Sequence, residues 1–382
     1  MPNPVNLRTI TGTASSTKDM RLSIQVHGDE FINMDSRPMP VFYSTLECLA
    51  VIRATVTLET DEECAGNDVE IIYKACATYK APVRTVYAVY IESDHVFQKK
   101  RWLMDLDRPK EGKVAQGKYT KSISATIDPL WPSSARTSSL FSGQGWIKYV
   151  FEAKFTKQTM GVHNQLLFDS QEVWVLNSTL PSPETQLLAM DGQPPLVVRD
   201  TWKKSTLPII LTLPSEILTM AQVVPITVRM DPLTSKSKYA GQAVVVLGAH
   251  FALREHVLGR ANGSGGQKFE GSHDVITVPL KDGWPRTAGP WERTVSLTMP
   301  TTPQVAVSAK TKWMDITHSL VLVMKIKAES EKDIKAEQFE LKANIQIVVP
   351  RRTHESGGDF LPAYTNQASL DFEQIQYHDI KA

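Results

Sequence analysis

Hydrophobic and polar residues alternate along much of this chain, most cleanly in two long stretches. From Trp146 the order Trp-Ile-Lys-Tyr-Val-Phe-Glu-Ala-Lys-Phe puts Ile147, Tyr149, Phe151, Ala153 and Phe155 on one face and Lys148, Glu152 and Lys154 on the other. Further on, Ile316, Leu320, Leu322, Met324 and Ile326 share a face, with His318 among them. Successive side chains of a strand point to opposite faces, so both stretches predict half-buried strands.

Shorter runs repeat the pattern. In the first half Arg21–Val26, Val51–Leu58, Val69–Thr78, Val83–Glu92, Lys118–Ile127 and Glu172–Leu176 read as strands. Val51–Leu58 and Val69–Thr78 flank an acidic turn and read as a hairpin. In the second half the strands are Leu207–Leu213, Val224–Met230, Ala243–Leu247, Thr294–Met299 and Leu341–Val349. Ala243–Leu247 is apolar on both sides and reads as a central strand. Helical signal is confined to Ser215–Gln222, room for a turn or two. Ser178–Lys204 contains Pro181, Pro183, Gly192, Pro194 and Pro195, has little periodicity and reads as a linker. The expected fold is all-β: two tandem immunoglobulin-like β-sandwiches, residues 1–177 and 205–352, joined by linker 178–204 and followed by tail 353–382.

Composition narrows the partners. The 382 residues are 42% hydrophobic, enough for two packed cores. Lys+Arg is 42 and Asp+Glu 41; splitting at Leu176 gives 20 basic and 20 acidic residues before it, 22 and 21 after. Neither half has the excess of a nucleic-acid binder, so no nucleic acid is expected. No apolar run reaches the length of a membrane span, and Met-Pro-Asn-Pro-Val-Asn-Leu at the start has no signal-peptide core. Cys48, Cys64 and Cys76 lack metal spacing and read as free thiols of a reducing compartment. Sequons at Asn177 and Asn262 are then accidental.

The order of the pieces resembles the arrestin family, especially the fungal arrestin-related proteins. Leu140-Phe-Ser-Gly-Gln-Gly-Trp-Ile-Lys-Tyr-Val-Phe-Glu-Ala looks like that family's Pro/Ser-rich approach to a long N-domain strand. Leu207-Pro-Ile-Ile-Leu-Thr-Leu-Pro with Val223-Val-Pro-Ile-Thr-Val looks like its C-domain opening, and Trp313–Ile326 like a late C-domain strand. The likeness spans roughly Met20 to Pro350. It implies arrestin-like N and C domains and a non-enzymatic adaptor in membrane-protein trafficking, endocytosis or ubiquitin-ligase recruitment. Such an adaptor is cytoplasmic, is recruited peripherally to the plasma membrane or endosomes, and binds cytosolic tails of membrane proteins. A retromer- or coat-type cargo subunit and a β-sandwich enzyme are the alternatives. No residue is assigned to the phosphate-sensing charges of visual-type arrestins.

Candidate chemistry is sparse. The nine histidines show no metal spacing, no G-x-S-x-G elbow occurs, and Gly263, Gly265 and Gly266 lack the Lys-Ser/Thr of a phosphate loop. No metal, cofactor or catalytic residue is expected. Asn262–Gly266 reads as a hairpin or mobile connection. His318, on an apolar face, reads as a hydrogen-bonded core histidine. Two features point to partners. Lys99, Lys100, Arg101, Arg108, Lys110, Lys113, Lys118 and Lys121 fall in one stretch, against Asp105, Asp107 and Glu111. On a loop, Lys99, Lys100, Arg101, Arg108, Lys110 and Lys113 could meet an anionic membrane surface or a phosphorylated tail; the alternative is a solvated connection. Leu361-Pro362-Ala363-Tyr364 is an L-P-x-Y variant of the polyproline ligand of WW domains, which arrestin-related proteins use to recruit ubiquitin ligases. Its alternative is a tail tyrosine packed on the core.

Overall fold

The alternating segments become strands, and the strands divide among sheets whose buried faces enclose two apolar cores. The computed structural model describes residues 9–11, 15–17, 19–28, 30–34, 37–45, 49–83, 89–108, 113–128, 131–139, 143–158, 164–178, 194–202, 207–233, 235, 239–260, 268–280, 284, 286–302, 304–310, 314–330 and 336–349. In chain order the strands are β1 (Thr9–Thr11), β2 (Ser15–Thr17), β3 (Met20–His27), β4 (Glu30–Met34), β5 (Arg37–Thr45), β6 (Val51–Thr60), β7 (Cys64–Ala65), β8 (Val69–Val83), β9 (Val89–Met104), β10 (Lys113–Val114), β11 (Gly117–Thr126), β12 (Ala135–Ser139), β13 (Gly143–Lys157) and β14 (Gln165–Ser178). They continue as β15 (Leu196–Trp202), β16 (Leu207–Leu213), β17 (Ile217–Thr219), β18 (Val223–Met230), β19 (Val244–Arg260), β20 (Lys268–Leu280), β21 (Arg286–Thr287), β22 (Trp291–Thr298), β23 (Ala309–Lys310), β24 (Met314–Ala328) and β25 (Glu337–Val348). The expected all-β class is what the structure has.

A first sheet, in the order β1-β3-β6-β11 with β2 beside β3, packs on a second in the order β4-β5-β14-β13-β8-β9 with β12 beside β13. Between them lies one core: Leu22, Ile24, Val26, Ile52, Val56 and Leu58 meet Ile71, Tyr73, Ile147, Tyr149, Phe151 and Phe155. The third sheet, β15-β16-β18-β22, packs on a fourth, β17-β25-β24-β19-β20. Ile209, Leu211, Val224, Ile226 and Val228 there meet Phe251, Leu253, Leu320, Leu322, Leu341 and Ile345. The face predicted from Trp146 is buried throughout. His318 is buried as expected. Of the expected linker, residues 179–193 lie outside the described residues, and Leu196–Trp202 forms β15, paired along its length with β16.

The cores interlock. On β14, Val173 and Val175 enter the first core while Trp174 and Leu176 enter the second. β5 runs parallel to that part of β14, and its Val41 also packs in the second core. In return, Val257 of β19 and Met314 and Ile316 of β24 belong to the first core, while Leu253 and Leu320 of the same strands belong to the second.

Several local expectations need correction. β6 and β8 do not form a hairpin; β6 pairs with β3 and β11, and β8 with β13 and β9. Both have one wholly apolar face, and facing each other across the core buries both faces where a hairpin would only align them. Val83–Glu92 is not one strand: it is divided between β8 and β9, which pair Val83 with Val89. Ser215–Gln222 holds no helix. Its Ile217–Thr219 pairs parallel with β25, and Gln222 closes a turn through Oε1, which accepts from the Thr219 amide at 3.0 Å. Leu247 is exposed because the register of β19 against β24 shifts between Val246 and Gly248. β24 is more than half-buried, since Val321 and Val323 on its other face pack with Ala252.

Candidate functional site

The basic stretch is not a loop. Lys99, Lys100 and Arg101 lie within β9, which ends the second sheet. Their segment extends because every second residue is needed inside: Trp102 packs against the first core and Met104 is buried in it. Pairing of Lys99 with Lys74, Arg101 with Ile72 and Leu103 with Glu70 puts Lys99, Arg101 and Leu103 on the outer face. Salt bridges claim much of the charge. Arg101 Nε meets Glu70 at 2.7 Å, a diagonal cross-strand pair, and Lys74 Nζ meets Glu152 at 2.6 Å. Arg108 follows the strand and bonds Asp68 and the Gly66 carbonyl, each at 2.7 Å. Lys113, on β10, reaches Glu63 at 3.3 Å, and Lys118, on β11, reaches Glu59 at 2.8 Å. That contact and the Lys118 charge hold the Glu59 carboxyl below its usual range. Lys121 donates to the Leu103 carbonyl. Lys99 and Lys100 are exposed and have no partner among the described residues. Lys110 lies outside the described residues, as do Leu361, Pro362 and Tyr364.

A depression of about 600 Å³ opens beside this edge on the outer face. Arg101 and Leu103 of β9, Glu70 of β8, Lys154 of β13 and Leu166 of β14 line it, with Arg108 and Gly66 at one end. Leu103, Leu166 and nearby Phe168 are exposed apolar side chains on that face. Gly66 is fixed by crowding: a Cβ there would come within 2.4 Å of the Phe155 ring.

A second polar cluster was not legible in the sequence as a unit. Glu255 of β19 and His318 of β24 are direct cross-strand partners, each 2% exposed. They sit on the strand faces where the second core gives way to the first, between Leu253 and Val257 on one strand and between Leu320 and Ile316 on the other. Glu255 Oε2 accepts from the Ala306 amide and from His318 Nε2, both at 3.2 Å. With Nε2 donating, Nδ1 accepts the Ser308 hydroxyl at 2.9 Å, and Ser308 Oγ accepts the Ile347 amide at 2.8 Å. Serine, histidine and glutamate thus form a row whose hydrogen bonds fasten the 306–308 segment, β19, β24 and β25 together, while Glu255 Oε1 lies 3.9 Å from His273 Nε2 of β20. A nucleophile needs an open approach to a substrate carbonyl; here the row's chemistry is satisfaction of buried polar groups. Next to it His256 Nε2 accepts from Lys342 Nζ at 3.3 Å and meets Ser319 Oγ at 3.3 Å. Burial, with the Lys342 and Arg254 charges, pushes the His256 imidazole below its ordinary range.

Other polar groups close the first core. Asp169 of β14 accepts the Ile24 amide at 2.7 Å, in the gap that β1 and β2 leave along β3. Burial raises its carboxyl above the ordinary range. Asn177 is buried, its Nδ2 donating to the Trp131 carbonyl at 2.6 Å, so this sequon presents no accessible amide. Cys64 and Cys76 are buried and free, and burial raises the Cys64 thiol. No group of three or more His, Cys, Asp or Glu fit to hold a metal occurs among the described residues. No helix among them is long and apolar enough to cross a membrane.

Compared with protein-family models and with the curated proteins, the chain matches none.

Proposed function

We propose that this chain is a non-enzymatic, arrestin-like adaptor that binds cytosolic tails of membrane proteins, working in the cytoplasm and recruited peripherally to the plasma membrane or endosomes. The observation that supports it is the β9 edge: an end strand carrying exposed Lys99 and Lys100, beside an outer-face depression rimmed by Leu103 and Leu166. A tail is favoured over a lipid surface by the accounting of charge. Arg101, Arg108 and Lys113 already hold acidic partners, and a free basic residue at an anionic membrane adds only about 1 kcal/mol. An edge strand also offers backbone hydrogen bonds, which a lipid headgroup does not use as a ladder.

The test replaces Lys99, Lys100 and Arg101 together by Glu. Binding to acidic tail peptides is expected to be lost while binding to anionic liposomes at low salt stays weak in both proteins. Strong liposome binding by the wild type that the triple variant abolishes would make the surface a membrane contact instead.

A further inference from the structure

We infer that the β9 edge takes an acidic peptide as an added strand alongside Lys99–Arg101, with an apolar side chain of that peptide lying on Leu103. This rests on the adaptor reading above and adds to it a binding mode and a chemical class of partner.

The backbone argument begins at Leu103. Its carbonyl accepts from Lys121, a residue of β11 in the opposite sheet, so it points away from β8. Backbone groups of alternate residues on a strand point to the same edge. The amides and carbonyls of Lys99 and Arg101 therefore face away from β8 too, while those of Lys100 and Trp102 face it. Gln98, through Nε2, reaches the Thr126 carbonyl of β11 at 3.4 Å. Gln98 and Lys121 thus tie β9 to β11 at two points, and the backbone groups of Lys99 and Arg101 lie between them.

Charge selects the occupant. A second copy of the same edge would bring Lys99 and Lys100 against their own like charges, which is how edge lysines deter self-association. An acidic strand meets the same charges with opposite sign. Of the exposed cations on this edge, Lys99 and Lys100 lack acidic partners among the described residues and are available without breaking an existing pair. Side chains of an added strand that point outward lie beside Lys99, Arg101 and Leu103. The residue next to Leu103 lies against that exposed side chain, where a phenylalanine or leucine is buried better than an acid. The partner is thus an extended segment with acidic residues and one apolar anchor.

Short synthetic peptides with one phenylalanine flanked by aspartates and glutamates supply the probe, and lysine-flanked copies the control. The acidic peptides are expected to bind, and the Lys99→Glu/Lys100→Glu variant to bind them about tenfold more weakly. Methylating alternate backbone nitrogens of the peptide should abolish binding in one parity and spare it in the other. In amide exchange, Lys99 and Arg101 should gain protection on binding, while Lys100 and Trp102 should not change. Binding that depends on the two lysines yet tolerates methylation in either parity would overturn strand addition and leave the adaptor reading standing. Absence of any acidic-peptide binding would overturn both.

Discussion

At the β9 edge ionisable groups stay in water, and at the Glu255–His318 seam they are taken out of it and hydrogen-bonded. Both places lie on long strands and hold ionisable groups in cross-strand positions. They differ in what the surroundings ask of them. At the edge, Arg101–Glu70 and Arg108–Asp68 are partly exposed pairs within reach of water, each stabilising by about 0–1 kcal/mol. At the seam, Glu255 sits among apolar side chains of both cores, so each acceptor lone pair counts. One region can exchange partners at little cost and the other cannot. That difference is why the edge is the better place for reversible binding and the seam the better place for holding the two cores in register.

The strongest way to break this comparison is Glu255→Ala. It strands His318 Nε2 and the Ala306 amide inside the protein, and a loss of about 3–5 kcal/mol is expected from urea unfolding. The Glu255→Leu/His318→Leu double variant removes both ends and should recover a large part of it. If Glu255→Ala costs no more than an exposed pair does, the seam is not the fastener described here. Asp169→Ala is the next step down. It leaves the Ile24 amide unpaired in the gap between β1 and β2, for about 1–3 kcal/mol. The edge should behave in the opposite way. Lys99→Glu/Lys100→Glu should alter stability by no more than about 0.5 kcal/mol while weakening acidic-peptide binding.

How much of this was written in the sequence depends on the range of the interactions. The faces of β13 and β24 were readable because alternation is local. The class followed from them, and so did burial of His318. The sheet partners of β6 and β8 were not, since two strands close in sequence can pair side by side or face each other across a core, and alternation is the same in both. Alternation alone predicts a half-buried β24, because the cover over Val321 and Val323 comes from Ala252 on another strand. At the site, the cluster of cations was plain, but its placement on an end strand was not, and neither was the list of acids that claim Arg101, Arg108 and Lys113. Glu255 is 63 residues from His318 and meets it only through the pairing of β19 with β24, while Ser308, 10 residues before His318, is brought to it by the pairing of β23 with β24. A sequence signal existed only for His318, as a polar residue on an otherwise apolar face.

The smallest expected effect lies between the two regions, at His256, half-buried beside the seam. Its imidazole is held neutral by burial and by the Lys342 and Arg254 charges; His318 also disfavours its protonation, and Glu270 alone opposes these effects. The folded-state pKa therefore lies below that of the unfolded chain, near ~6.5. In the window between the two, the unfolded chain binds more protons, so stability falls as pH drops and levels off below the folded value. Above the window His256 contributes no slope. His256→Gln keeps a polar side chain toward Lys342 and Ser319 but cannot titrate. Its urea midpoint should therefore fall less than that of the wild type between about pH 7.5 and pH 5.5. Partial exposure of the ring makes this difference small, and comparing the two proteins isolates the one group that differs between them. If the two midpoints fall in parallel, His256 protonates as freely in the fold as outside it, and the desolvation that marks the seam does not extend as far as this ring.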